Sequence, residues 1–526
     1  MLHESSPPWW RGAVIYQIYP LSFADSNGDG WGDLPGVLKH LDYIAGLHVD
    51  AIWLSPFFRS PMRDFGYDVS SHTEVDPIFG SLEDAETVID EAHRRGLKVI
   101  LDQVWSHTSD QHPWFRASVA DRNGDNGDWY VWADASPDGT PPNNWLSVFG
   151  GSAWTWEPRR RQYYLHHFLS SQPKLNLCNP AVLDAILASG RFWLDRGVDG
   201  FRLDAVDFMA HDPGLRSNPA LPPPNGVTPA KPFGLQRHDH DMLHPDALDI
   251  MARIRALTDE YPGTVTLGEV SSQPGAYGRI ADYTTQSRLH LGYTLRLLRG
   301  ECSAATIETA LQEAAKAIDA GGLCWAFGNH DVDRLATRWA KGDPDASRAL
   351  MILLGSLPGP FCLYQGDELG LPEAELMHDQ LRDPFGIAYW PEFRGRDGGR
   401  TPMPWHAVAP VDEPASWLPV PEAHRALAVD RQEHDPGSAL NGWRRFLKWR
   451  RTMPVLSQGG IENIRREGDV LSFERVLGTT RMLCLFNLSA APALFTTDEQ
   501  VAMRLVPWGT AHVQRDGAVT PASIAA

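Results

Sequence analysis

Three stretches of this 526-residue chain end an apolar run on a carboxylate: Gly200-Phe201-Arg202-Leu203-Asp204-Ala205, Leu267-Gly268-Glu269-Val270 and Gly328-Asn329-His330-Asp331. A buried-strand-like run gains nothing by ending in charge, because ions near a core are costly unless they are paired or used. Clustered carboxylates can divide acid, base and nucleophilic roles among themselves, which is the chemistry of an acid/base glycosidase. Three such endings also follow the rule that barrel enzymes place their chemistry at the C-terminal ends of parallel strands.

The elements that must carry these residues are legible as alternating strand and helix signals. Strand candidates are Val14–Tyr19, Ala51–Leu54, Leu97–Val104, Val198–Leu203, Val265–Leu267, Leu289–Leu295, Leu323–Phe327 and Phe361–Tyr364, eight in all. Leu34, Val37, Leu38, Leu41, Ile44 and Leu47 recur at helical spacing, Ser81 caps a helix that stops at Gly96, and Asn179-Pro180 opens another that runs to Arg196. The rhythm breaks over Ser106–Leu175, too long for an ordinary loop, so this span is read as an inserted domain. A proline-rich interruption between Met209 and His240, with Leu221-Pro222-Pro223-Pro224 inside it, reads as a long loop at the carboxylate end. From about Gly459 short β-like runs, Leu471–Val476 and Met482–Phe486, indicate a C-terminal antiparallel sandwich. The expected fold is an α/β chain: a (β/α)8 barrel over 1–105 and 176–458, an insertion over 106–175 and a β domain over 459–526.

Composition narrows the function. A net charge of −19 repels a phosphate backbone and disfavours nucleic acid, while a neutral small molecule is indifferent to it. No run approaches the length of a membrane span, and the N-terminus lacks a secretory pattern, so a cytoplasmic location is expected. Five scattered cysteines without a Cys-x-x-Cys pair read as reduced, mostly buried thiols. The 20 tryptophans suit a site where flat faces stack on ligands, although most must be packing residues.

Taken in order, Asp102-Gln103-Val104-Trp105-Ser106-His107, Gln172-Pro173-Lys174-Leu175-Asn176, Gly200–Ala205, Glu269-Val270 and Phe327–Asp331 closely resemble the conserved segments of glycoside hydrolase family 13, the α-amylase superfamily. Within it the chain is similar to the α-glucosidase and oligo-1,6-glucosidase group over nearly its whole length. The resemblance implies Asp204 as nucleophile, Glu269 as general acid/base and Asp331 as the carboxylate that stabilises the transition state. It implies that His107 and His330 bond sugar hydroxyls, that Asp64 and Tyr67 form the pocket floor with the Tyr ring under the glucose, and that Arg400 pairs with Asp64 to close the pocket. Closure of that kind means exo action on a terminal glucose. Phe149 and Phe168 are pocket-wall candidates that would serve equally as core of the insertion. Arg202, two residues before Asp204 on the same strand face, is expected to lower the nucleophile's pKa.

Asp25-Ser26-Asn27-Gly28-Asp29-Gly30-Trp31-Gly32-Asp33 spaces oxygen ligands as calcium loops do. The group has a metal loop here, with side chains corresponding to Asp25, Asn27, Asp29 and Asp33 and a carbonyl corresponding to Trp31; a structural Ca²⁺ or Mg²⁺ is expected, an Asx-rich turn being the other reading. Two positions depart from the group: Lys174 stands where it usually has Asp, and Ser106 where it has Asn. Ala205 after the nucleophile, where Val accompanies α-1,6 activity in the group, implies α-1,4 preference. The resulting expectation is a retaining α-glucosidase acting on short α-glucosides such as maltose, with water, alcohols or sugars as acceptors. The alternatives are a dedicated glucosyltransferase or a sucrose- or α-1,6-glucoside-acting enzyme of the same fold, and a non-catalytic binding subunit.

Overall fold

A computed structural model describes residues 7–223, 229, 231–271, 274–285, 287–318, 322–409, 415–497 and 501–515. Pro224 of the triple proline and residues 516–526 of the expected β domain lie outside them.

Eight parallel strands form the central sheet: β1 (Val14–Ile18), β2 (Ala51–Leu54), β3 (Lys98–Gln103), β4 (Gly200–Leu203), β5 (Val265–Val270), β6 (Leu291–Thr294), β7 (Trp325–Ala326) and β8 (Phe361–Tyr364). Their order around the sheet is β6-β5-β4-β3-β2-β1-β8-β7, and a parallel bridge between Gly292 and Leu323 closes the ring. Closure leaves no free sheet edge. Gly200 at the start of β4 is needed for close approach, since a Cβ there would sit 2.2 Å from the Val265 carbonyl oxygen of β5. The barrel is filled by Ile15, Trp53, Ile100, Val265, Leu267 and Tyr293, which form their own apolar cluster, as expected of a packed rather than open barrel.

Local signals hold where capping chemistry is strong. Ser81 and Asp84 make a reciprocal capping box at the head of the helix Leu82–Arg94, and Asn179 accepts from the Ala181 amide to open Pro180–Leu194. The single helix expected over Leu34–Leu47 is instead two, Leu34–Lys39 and Leu41–Gly46. The break falls at His40, whose ring stacks on Trp405 at 3.6 Å, a tertiary contact that helical spacing cannot reveal.

Between β3 and β4 lies a three-stranded antiparallel sheet of Trp132–Ala133, Gln162–Leu165 and Trp154–Glu157. At the C-terminal end, Gly460–Glu467, Val470–Leu477, Thr480–Asn487 and Thr510–Arg515 pair antiparallel. A hairpin of Ala493–Thr496 and Ala502–Leu505 packs Phe495 and Leu505 against Val470, Leu483 and Leu485, giving the second layer of a sandwich. Arg475 ties this sheet to the barrel by donating to the Ser356, Leu357, Leu456 and Gly459 carbonyls. Among the described residues no helix is long and apolar enough to cross a membrane, and no disulfide forms: Cys324, Cys362 and Cys484 are buried thiols, Cys302 is half-buried and Cys178 is exposed.

Candidate active site

The site is built around Arg202, which β4 delivers, fully buried, to the C-terminal mouth of the barrel. Its Nη1 donates to Asp204 Oδ1 at 2.8 Å and to Asp102 Oδ1 at 2.8 Å. Its Nη2 donates to the Tyr293 hydroxyl at 2.8 Å and to Glu269 Oε2. One guanidinium therefore clamps Asp204 from β4 and Glu269 from β5, with Asp102 from β3 behind them and Trp53 under its plane at 5.0 Å. Ala205, just after Asp204, is held at φ +46°, a left-handed conformation that a β-carbon disfavours and that turns the chain sharply at the carboxylate.

Arg202 lowers Asp204 as expected, but burial sets the net shift. Burial raises Asp204 to about 7, and although Arg202 opposes this, the charges of Asp102 and Asp331 add to it. Glu269 is likewise raised to about 7, by burial first and then by Asp204 and Asp331, again against Arg202. One cation shared by three carboxylates cannot neutralise them all, so the pair titrates as a unit and retains a proton near neutrality. Asp331 is the opposite case. Burial pushes it up, but the His330 Nε2–H that faces it and the charges of Arg396 and Arg400 outweigh burial and hold it below the usual carboxylate range.

Arg400 does not pair with Asp64. It donates to Asp331 Oδ1 at 2.8 Å and to the His330 carbonyl at 2.8 Å. Arg396, one turn earlier, takes the expected place: its Nη2 donates to Asp64 Oδ1 at 2.8 Å and to Asp383 Oδ1 at 2.8 Å, and its Nη1 reaches Asp331 Oδ1 at 3.3 Å. The 3₁₀ turn Asp397–Gly399 joins the two arginines, and Asp383, buried and held at about 2, fixes Arg396 on the Asp64 side. The second oxygen of Asp64 accepts from Gln172 Nε2 at 2.9 Å. Burial raises Asp64, with Arg396 and then Arg400 pulling it back. One end of the cavity is thus closed by a hydrogen-bonded ion network.

Tyr67 lines the cavity as expected; its hydroxyl donates to Asp102 Oδ2 at 2.9 Å and its ring lies flat on His330, 5.1 Å away at 5°. His330 is consequently behind the wall. Its Nδ1 accepts from Gln17 Nε2 at 2.7 Å, which leaves the Nε2 proton facing Asp331 Oδ2 at 3.4 Å. His107 lines the cavity, but its Nε2 donates to the Tyr67 carbonyl at 2.9 Å and its Nδ1 accepts from Ser106 Oγ at 2.9 Å. Both nitrogens of both rings are thus engaged by protein groups, and burial keeps the rings neutral, at about 4 for His107 and about 3 for His330. Ser106 supplies the bond that fixes the tautomer of His107.

Phe149 and Phe168 both line the cavity, 5.8 Å apart edge to face, and Phe149 also packs on Phe385 at 4.6 Å. The cavity encloses about 480 Å³ and brings together Asp64, Tyr67, His107, Asp204, Glu269 and Asp331. Lys174 lies outside it, buried, donating to the Phe208 and Met209 carbonyls at 2.5 and 3.2 Å. It thereby staples the inserted segment to the turn that follows Asp204, and burial lowers it to about 8.

Sequence reasoning assigned no role to Asp102, Gln172, Arg396, Asp383 or the mouth residues Lys231, Phe385 and Phe393. Asp102 and Gln172 stood inside quoted segments. Arg396 carried a faint signal, a second arginine four residues before Arg400 in the same Gly-rich turn.

The loop Asp25–Asp33 is a run of Asx turns. Asp25 accepts from the Asn27, Gly28 and Gly30 amides, Asn27 from Asp29, and Asp29 from Trp31, while Asp33 accepts from Ser26 and caps the next helix through Gly36. Among the described residues no three His, Cys, Asp or Glu side chains are grouped so as to hold a metal ion. The donor atoms the loop offers are all hard oxygens, the set that suits Ca²⁺ or Mg²⁺.

With this geometry in place, comparison with known proteins is decisive on family. The alpha amylase catalytic domain matches residues 17–459. The chain belongs to the alpha-amylase family. It is 50% identical over 517 residues to a probable alpha-glucosidase of Rhizobium meliloti (strain 1021), covering 96% of this chain and 93% of that one. Among solved structures it is similar to the alpha-glucosyl transfer enzyme XgtA, with a TM-score of 0.93, 49% identity and coverage of 97% and 100%. A trehalulose synthase, MutB, gives a TM-score of 0.88 at 28% identity with the same coverage. This alpha-amylase-family chain is therefore an α-glucosidase-type glycoside hydrolase acting on small sugar substrates.

Proposed function

We propose that the enzyme is a retaining, exo-acting α-glucosidase that cleaves short α-1,4-glucosides such as maltose through a glucosyl-Asp204 intermediate, and that alcohols or phenols compete with water for that intermediate. The observation that carries this reading is the clamping of Asp204 and Glu269 by one guanidinium beside a pocket closed by the Arg396–Asp64–Gln172 network.

In the first step an Asp204 oxygen attacks C1 of the terminal glucose, the bond from C1 to the aglycone oxygen breaks, and the departing oxygen takes its electron pair and the Glu269 proton. In the second, an acceptor hydroxyl attacks C1, gives its proton to Glu269 and releases Asp204. Two inversions return the α configuration. The shared proton of the Asp204–Glu269 pair suits this exchange, since one member must be anionic while the other is an acid. Asp331, kept anionic by Arg396 and Arg400, would stabilise the positive charge that develops at C1. Transfer as a second reading is favoured by the apolar faces of Phe149, Phe208, Phe233 and Phe385 in the lining, on which an acceptor can pack.

A structural Ca²⁺ or Mg²⁺ on Asp25, Asn27, Asp29, Asp33 and the Trp31 carbonyl is also proposed. It would add a multivalent charge that rigidifies the loop and would take no part in the chemistry.

The test is Asp204→Asn followed by product analysis. Turnover of maltose should fall by several powers of ten with the fold retained. In the unaltered enzyme, maltose with a small alcohol should yield glucose and an alkyl α-glucoside by anomeric NMR. Activity within about tenfold of the parent would remove Asp204 as nucleophile, and a β-linked product would overturn retention.

A further inference from the structure

The cations that touch the catalytic carboxylates are all ion-paired: Arg202, Arg396 and Arg400 each donate to at least one of them. At the mouth of the same cavity the pattern reverses. Lys231, Arg299 and Arg338 all line it, and among the described residues none has a carboxylate within ion-pair distance. Arg338 is spent on the carbonyls of Leu297, Phe327 and Asp333. Lys231 rests its ammonium on two rings, 3.7 Å from the centre of Phe393 and 4.7 Å from that of Phe385. Exposed Arg299 has no side-chain hydrogen bond or ion pair among the described residues. Asp207, a buried carboxylate of the lining, is already held by the Ser271 amide, the Tyr283 hydroxyl and Arg279. Exposed Asp333 also lines the cavity, and Arg299 acts on Glu269 through its charge without forming an ion pair.

Such a lining offers two things at once: the apolar rings of Phe385 and Phe393, and beside them Lys231 and Arg299, cations without a carboxylate partner among the described residues. We propose that the mouth recognises aryl aglycones and aryl acceptors that carry an anionic substituent, a carboxylate or a phosphate-type group, with the ring against Phe385 and Phe393 and the anion on Arg299 and Lys231. This rests on the glucosidase reading above and adds the leaving-group class. The aglycone still departs as ROH, keeping the electron pair of the broken C1–O bond and taking the Glu269 proton.

The global charge of −19 does not oppose this. At physiological ionic strength the field of distant carboxylates is screened beyond about 8 Å, so the local cations dominate inside the mouth. Lys231 is lowered to about 8 by burial first and by Arg299 and Arg396, with Asp383 and Asp333 opposing. Its contribution therefore fades as pH rises through that value.

The experiment compares kcat/KM for 4-carboxyphenyl α-glucoside, 4-phosphonophenyl α-glucoside and the neutral 4-carbamoylphenyl α-glucoside. The anionic substrates should be preferred about tenfold at low salt, the size expected of two partly exposed ion contacts, and the preference should shrink in high salt. Arg299→Ala and Lys231→Met should each cut the ratio and together bring it to about one. Arg299→Lys should preserve it. Because the neutral substrate is the internal reference, a partial loss of folded enzyme cancels. A preference for one anion over the other identifies the better-fitting group and supports the proposal. Equal or better cleavage of the carbamoyl substrate, or a ratio unmoved in the double variant, overturns this inference alone. Failure to cleave any of the three overturns the glucosidase reading and this inference with it.

Discussion

The Arg396–Asp64 contact decides whether the pocket is closed, and a double-mutant cycle can isolate it. Asp64 is buried and receives a 2.8 Å bond from Arg396, while Arg400 bonds Asp331 instead. Two unit charges about 4 Å apart interact by about 4 kcal/mol at an effective dielectric of about 20. Arg396 divides its charge among Asp64, Asp383 and Asp331, so roughly half of that, about 2 kcal/mol, belongs to the Asp64 pair. In kcat/KM this is a coupling factor of about thirty. The perturbations are Asp64→Asn, Arg396→Met and both together, assayed on maltose and on an aryl α-glucoside, with circular dichroism and Tm confirming that each variant is folded. Each single change should cost more than the second change does once the first is present. The parallel cycle of Asp64→Asn with Arg400→Met should show less than half that coupling, since no hydrogen bond joins those residues. Coupling of Asp64 to Arg400 that equals or exceeds its coupling to Arg396 would refute the assignment of pocket closure.

Other outcomes follow from the same geometry. Asp204 and Glu269, both raised to about 7, bind protons in the folded state that the unfolded chain has released, so between about pH 4 and pH 7 their contribution to stability falls as pH rises. Asp204→Asn should therefore raise Tm by a few degrees near about pH 7.5 and by less near about pH 4.5; a gain that grows on acidification would contradict this. Chelation with EDTA should lower Tm by several degrees, with recovery on adding Ca²⁺ or Mg²⁺, if the Asp25–Asp33 loop holds a cation; an unchanged Tm would leave the Asx turns as its whole support. Maltose should be preferred to isomaltose, and Ala205→Val should narrow that preference by altering the wall beside Asp204; a parent enzyme that favours isomaltose would disprove the link.

What could be read in the sequence divides along physical lines. The barrel strands were legible because a buried parallel strand is a short apolar run bounded by turn signals, and the bounds of β2 and β8 agree to the residue. The clustering of Asp204, Glu269 and Asp331 was legible because charge at the end of such a run has a cost that demands a partner or a use. The Arg396–Asp64 bond was not, because 332 residues separate its partners and chain spacing carries no information on which of two arginines in one turn faces inward. Lys231, Phe385 and Phe393 escaped for the same reason: two segments far apart in the chain meet only in the folded molecule.

Arg202 is instructive, because its effect on Asp204 has the expected sign and is nevertheless outweighed. From two residues away, a cation beside an acid predicts a depressed pKa. In the folded barrel that cation also faces Asp102 and Glu269, and all four groups are out of water. Desolvation of each carboxylate then exceeds its share of one guanidinium, and the excess negative charge appears as a retained proton. Removing Asp102 as a competitor, by Asp102→Asn, would return part of Arg202 to Asp204 and relieve the repulsion between them. The acid limb of kcat/KM should then move to lower pH. A limb that stays in place would mean that burial alone sets the titration of the pair.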